Sequence, residues 1–162
     1  MGQIIAVAQQ KGGAGKTMIA AQFGAALAEQ GRVALLDIDP QGSLTAWGRL
    51  REGAAKANPA LEVIAVSGWR LANELEKLKS THDYVLVDTP PVIDSDARRA
   101  IRGADLVLVP MNPAPPDLWA AEGTLKLAAE ERRPAALLFN RAPAASKLRK
   151  RLEAEILSLI HI

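Results

Sequence analysis

A run of seven residues, Lys11-Gly12-Gly13-Ala14-Gly15-Lys16-Thr17, has the residue types that hold a phosphate. Glycines let the backbone curl until consecutive N–H groups converge on phosphate oxygens, and a helix N-terminus behind them adds positive potential. At this spacing Lys16 would reach the β- and γ-phosphates of a nucleotide, and the Thr17 hydroxyl would ligate Mg²⁺. The general phosphate-loop pattern asks for a glycine five residues before Gly15, where this chain has Gln10; a second lysine, Lys11, opens the loop instead. Two carboxylates close apolar runs further on: Asp37 after Val33-Ala34-Leu35-Leu36, and Asp88 after Tyr84-Val85-Leu86-Val87. Asp37 would stand beside a γ-phosphate, and Asp88 would hold Mg²⁺ through a water, because phosphoryl transfer depends mostly on positioning and charge stabilisation. Each is also an ordinary turn residue after a strand.

These residues can meet only if a scaffold brings them together. Short, nearly continuous apolar runs at 3–9, 32–37, 61–66, 83–88, 105–110 and 135–140 read as strands of a parallel sheet covered on both faces. Helices are predicted between them, at about 16–30, 43–56, 69–80, 95–103, 117–132 and 145–160. Gly31 is placed as the C-cap of the first helix, and Asp94 or Ser95 as the N-cap of the fourth. Repeated βα units predict an α/β, doubly wound, mainly parallel sheet with helices on both faces, and ligands at the carboxyl ends of the strands. Lys11, Asp37, Asp88 and Asn140 all fall at such ends. Asn112-Pro113-Ala114-Pro115-Pro116-Asp117 is short enough to be one loop over the nucleotide. With 162 residues, 49% of them hydrophobic, the expectation is one nucleotide-binding domain spanning 1–162.

The loop resembles the deviant Walker-A motif of the ParA/MinD ATPases. Asp37-Ile38-Asp39-Pro40-Gln41 is similar to that family's second acidic motif, Asp88-Thr89-Pro90-Pro91 is similar to its Walker-B end, and the order fits along nearly the whole chain. The resemblance implies a P-loop NTPase fold, ATP/ADP and Mg²⁺ as cofactors, and hydrolysis of ATP to ADP and phosphate that is slow without an activating partner. It implies that Lys11 reaches across a homodimer, formed in the ATP state, to the partner's nucleotide. Lys11, Lys16 and Asp37 are then the catalytic set, with Asp37 orienting the attacking water. Thr17, Asp39 and Asp88 are the metal set, although Asp39 could equally cap Gln41-Gly42-Ser43-Leu44 and do nothing more. Gly12, Gly13, Ala14 and Gly15 cradle the phosphates. The family commonly has a second threonine after Thr17; Met18 stands here and leaves only its backbone N–H for the α-phosphate. Asn140-Arg141 lies where the family often reads the adenine edge, and an asparagine offers both donor and acceptor. Asn140 is also a normal residue to end a strand. Pro113 and Pro115 would wall the base.

Composition removes other classes. A net charge of +2, from 20 basic and 18 acidic residues, is too balanced to imply nucleic-acid binding by itself. The absence of cysteine excludes disulfides, thiolate catalysis and iron–sulfur ligation within the chain, and so separates it from the related nitrogenase iron protein. His82 and His161 have no neighbours at metal-ligand spacing and are expected at the surface; Trp47, Trp69 and Trp119 are expected to pack. No signal peptide and no apolar run near ~18 residues are visible, which predicts a cytoplasmic, bacterial protein, nucleoid-associated if it binds DNA. Family members usually run some tens of residues further, so a last strand and closing helices are expected to be missing, along with most DNA-contacting residues. Nonspecific DNA binding is therefore expected only of a full-length form. Leu148, Leu152, Ile156, Leu159 and Ile160 share one helical face beside Lys147, Arg149, Lys150 and Arg151. That pattern suits a helix packed on the sheet; a membrane-surface helix like that of MinD is the less favoured reading. Together these features predict a small ParA-type ATPase that partitions plasmid or chromosomal DNA or other cargo, reset by a ParB-like adaptor. A MinD-like ATPase in division-site selection and a catalytically weak nucleotide-dependent scaffold are the alternatives.

Overall fold

The computed structural model describes residues 1–54, 58–92, 94–143 and 147–159. Six parallel strands form one sheet: β1 (Gln3–Val7), β2 (Val33–Asp37), β3 (Leu61–Ala65), β4 (Tyr84–Asp88), β5 (Leu106–Met111) and β6 (Ala135–Phe139). Their spatial order is β3-β2-β4-β1-β5-β6, so β1 is central and the order reverses on its two sides. Six helices connect or follow the strands: α1 (Lys16–Leu27), α2 (Ser43–Glu52), α3 (Leu71–Lys79), α4 (Ser95–Gly103), α5 (Pro115–Glu130) and α6 (Lys147–Leu159). A single 3₁₀ turn, Gly68–Arg70, precedes α3. Every predicted strand and helix is found, with ends shifted by a few residues.

Strand side chains alternate between two covered faces, which is why the runs are apolar throughout. Ile4, Ala6, Leu36, Val85 and Val87 face Leu71, Leu75 and Leu78 of α3 and Ala100 of α4. Ile5, Val7, Leu35, Leu86 and Leu108 face Ala20 and Ala21 of α1 and Leu44 of α2. Beyond β5, Val107, Val109 and Met111 pack with Leu118 and Leu127 of α5 and with Leu152 and Ile156 of α6. The α6 helix therefore lies on the sheet side through Leu152 and Ile156, while Leu148 stays 42% exposed. The side chain of Leu159 and all of Ile160, His161 and Ile162 lie outside the described residues.

Four expectations are corrected. Gly31 is no left-handed cap: α1 ends at Leu27 with Ala28 in right-handed geometry, and Gly13, Gly15 and Gly42 are the described glycines with positive φ. A β-carbon at Gly31 would instead lie 2.5 Å from a carboxylate oxygen of Asp83, so glycine makes room for that side chain to accept from the Arg32 N–H. His82 is buried, not on the surface, with Nε2 2.7 Å from Glu62 and Nδ1 2.9 Å from the Thr81 hydroxyl. Trp69 and Trp119 are exposed, and only Trp47 joins the core; the Arg70 guanidinium sits 5.8 Å from the Trp69 ring centroid. The proline-rich loop is shorter than expected, because Pro115 and Pro116 begin α5, where their lack of an N–H costs nothing. Asp94 is the N-cap of α4, its carboxylate accepting from Asp96 N and Ala97 N at 2.9 and 2.8 Å.

Candidate nucleotide site

The glycine loop joins the end of central β1 to α1. Gly13 and Gly15 have φ of 78° and 94°, a region that side chains with a β-carbon disfavour. Gly15 is doubly constrained, since a β-carbon there would lie 2.2 Å from Asn140 Nδ2. The α1 helix starts at Lys16, so its first free N–H groups face the loop. Lys16 is buried, and burial lowers its pKa, with Asp88 and Asp39 opposing that shift.

Parallel register brings the two strand-ending carboxylates side by side: Asp37 and Asp88 are direct partners between β2 and β4, and Asp88 pairs with Val7 of β1. The Thr17 hydroxyl donates to Asp88 Oδ2 at 2.6 Å. Asp88 is fully buried, and burial leads the causes that raise its pKa to about 7, with Asp37 and Asp39 adding to the rise and Thr17 and Lys16 opposing it. Its other oxygen, Oδ1, is buried with no hydrogen-bond partner. A buried, orphaned carboxylate oxygen beside a threonine hydroxyl suits a cation that is also held by phosphate oxygens. Mg²⁺ usually binds in that way, with few protein ligands, and among the described residues no group of three or more acidic or histidine side chains forms a cage for a metal. The residues present fit the ion.

Asp37 is buried and accepts from Thr45 N and Thr45 Oγ1, both at 2.8 Å, and from Asp39 N at 3.2 Å. Thr45 in the first turn of α2 thus fixes the carboxylate. Asp39 accepts from Gln41 N at 2.9 Å, the turn contact that its local spacing allows, while its charge still influences Lys16 and Asp88. A groove of about 810 Å³ opens beside Asp37 and Asp39, bounded by Gly42, Thr45, Ser67 and Trp69.

At the other side of the loop, Asn140 is buried and its Nδ2 donates to the Ala14 carbonyl at 3.0 Å. One of its two amide N–H donors is thus used in holding the phosphate loop. Its own N–H bonds the Met111 carbonyl at 2.7 Å, which places Asn140 next to the Asn112-Pro113 turn. Arg141 is exposed with φ of 54°, and Met18 is 43% exposed at the start of α1. Lys11 contacts the buried carboxylate of Asp117, a residue that sequence reasoning passed over. Its signal was available: an acid behind two prolines at a helix start. Thr45 was missed as well, because its role depends on where Asp37 points.

A parallel sheet reversing at its central strand, with a glycine loop and two acids at the reversal point, defines a P-loop nucleotide-binding protein. Residues 5–158 match the family model of the CobQ/CobB/MinD/ParA nucleotide-binding domain, and the chain belongs to that family. It is 33% identical over 158 residues to the maintenance of carboxysome distribution protein A (McdA) of Halothiobacillus neapolitanus, covering 94% of this chain and 72% of that protein. To the protein ParA of Rhizobium radiobacter it is 38% identical over 133 residues, covering 79% of this chain and 57% of the relative. An ATP complex of a McdA variant from Cyanothece has the same fold, with a TM-score of 0.83, 19% identity, and coverage of 98% of this chain and 79% of that one. The curated relatives are thus longer than the part that this chain matches.

Proposed function

We propose that this chain is an ATPase of the ParA type, a nucleotide-binding domain that takes up ATP with Mg²⁺, pairs with a second copy and positions an intracellular cargo. The observation that carries the reading is the trio Lys16, Thr17 and Asp88, with the orphaned Asp88 oxygen beside a glycine loop that begins with Lys11. In this reading the loop N–H groups and Lys16 hold the phosphates. Thr17 and Asp88 hold the metal, which would draw charge from the β- and γ-phosphate oxygens. Asp37 orients water and Lys11 serves the partner's nucleotide. The carboxysome and partition relatives favour cargo positioning, with DNA or a protein assembly as cargo and an adaptor that stimulates turnover. Placement in the cytoplasm accords with the absence, among the described residues, of a helix long and apolar enough to cross a membrane.

Calorimetry with ATP and ADP, with and without Mg²⁺, tests the first step. Lys16→Ala should abolish binding of both nucleotides; unchanged ATP affinity would sink the assignment. Light scattering tests the second step. Lys11→Ala should bind ADP yet stay monomeric with ATP, and Asp37→Ala should accumulate as a persistent ATP dimer. The same oligomeric state for both variants would show that these roles are wrong.

A further inference from the structure

We propose that Asp117 is a positioning residue that stores Lys11 inside its own subunit and so sets the ATP level at which two copies pair. The inference rests on the reading of Lys11 given above. Asp117 is 1% exposed whereas the Lys11 side chain is 40% exposed, so the acid is a fixed post and the lysine is the part free to leave. The two carboxylate oxygens are used differently. Oδ1 accepts from Lys11 Nζ, while Oδ2 accepts from Asn112 N and Asn112 Nδ2, each at 2.9 Å. Asp117 therefore keeps two donors when the lysine departs, and its place in the first turn of α5 favours the charge further. Burial raises its pKa, but Lys11 and Asn112 more than offset this and the net shift is downward, so the carboxylate stays ionised.

One ammonium cannot sit against Asp117 and against a phosphate in another subunit at once. The stored arrangement competes with pairing, and the apparent affinity for ATP in the pairing reaction falls by the fraction of chains with Lys11 released. The post is also joined through Asn112 to the turn carrying Pro113, beside Asn140 and the glycine loop.

Asp117→Asn separates the two functions, because the amide oxygen can keep both Asn112 contacts while the charge facing Lys11 is lost. Light scattering against ATP at fixed Mg²⁺ should show half-maximal pairing at about five- to tenfold lower ATP in Asp117→Asn than in the wild type. ADP affinity of the monomer should be unchanged, and Asp117→Asn combined with Lys11→Ala should stay monomeric with ATP, as Lys11→Ala does alone. Equal or weaker pairing in a folded Asp117→Asn chain would overturn the proposal. A second readout needs no pairing: in the nucleotide-free wild type, Lys11 should be acylated several-fold more slowly than exposed Lys126, and Asp117→Asn should erase the difference. If the wild type fails to pair with ATP, the function proposed above fails, and the acylation rates alone decide whether Lys11 is stored. Wild-type Lys11 reacting as fast as Lys126 overturns storage, even if the variant does not fold.

Discussion

Asp88 combines two demands that conflict when no cation is present. Its side chain is completely buried, its pKa is raised to about 7, and one oxygen has no partner. Between the ordinary carboxylate pKa and about 7 the folded chain binds a proton that the unfolded chain has lost, so stability must fall as pH rises through that interval. The charged form costs up to about 4 kcal/mol, the equivalent of a shift of that size. Asp88→Asn should therefore raise the unfolding temperature of the nucleotide-free chain clearly more at pH 8 than at pH 5. Thermal melts at the two pH values check this; an equal gain at both would show that burial of charge is not the cause. The same substitution should remove the Mg²⁺ dependence of nucleotide binding. Thr45 would act through the role proposed for Asp37: Thr45→Val should lower turnover by about tenfold with little change in KM, and Thr45→Ser should restore it, because only the hydroxyl contact to Asp37 differs.

Helices reach the sheet through small residues, and those contacts set how the site is framed. Gly48 of α2 lies over β3, where an added β-carbon would stand 2.8 Å from Val63 Cβ. Valine is stiff at its β-carbon and cannot swing away, so Gly48→Ala should destabilise the chain by about 1–3 kcal/mol despite alanine's better helix propensity. A denaturant melt with an unchanged slope and a lower midpoint would bear this out. Such elements were legible in advance: strands buried on two faces read as unbroken apolar runs, and the cap of α4 was legible as Asp94 or Ser95, of which the fold uses Asp94. Contacts that need three dimensions were not legible. The burial of His82 depends on Glu62 of the edge strand β3, and the exposure of Trp69 depends on a short 3₁₀ turn that directs it outward. Gly31 looked like a cap because of its place after an alanine-rich run, yet its glycine is required by Asp83, 52 residues away along the chain by number. In the site, the loop, Asp37 and Asp88 were readable because the βα pattern fixes strand ends. The contact of Lys11 with Asp117 and the tie from Asn140 to Ala14 were not, since both join segments more than a hundred residues apart.

At the scale of the molecule, β6 is an edge strand made of Ala135-Ala136-Leu137-Leu138-Phe139, and none of the five is fully buried. It carries no lysine, proline or other guard against pairing with another chain. At rising concentration this chain should form nucleotide-independent dimers or larger species in sizing experiments. Ala136→Lys, on the half-buried side toward α1, should reduce them, and a monomer at every concentration would show that the edge is inert. The tie between Asn140 and the glycine loop has a consequence for synthesis. The loop leaves the ribosome well before the side chain that pins the Ala14 carbonyl, which is made 126 residues later. Until β5 emerges, β1 has only one neighbour, β4, and until β6 emerges the loop lacks its brace. A nascent chain should thus hold a collapsed β1–β4 half-sheet without a finished phosphate cradle, and gain its nucleotide only as β6 docks. ATP would then act on the growing polypeptide as a late clamp that closes the two halves of the sheet upon each other.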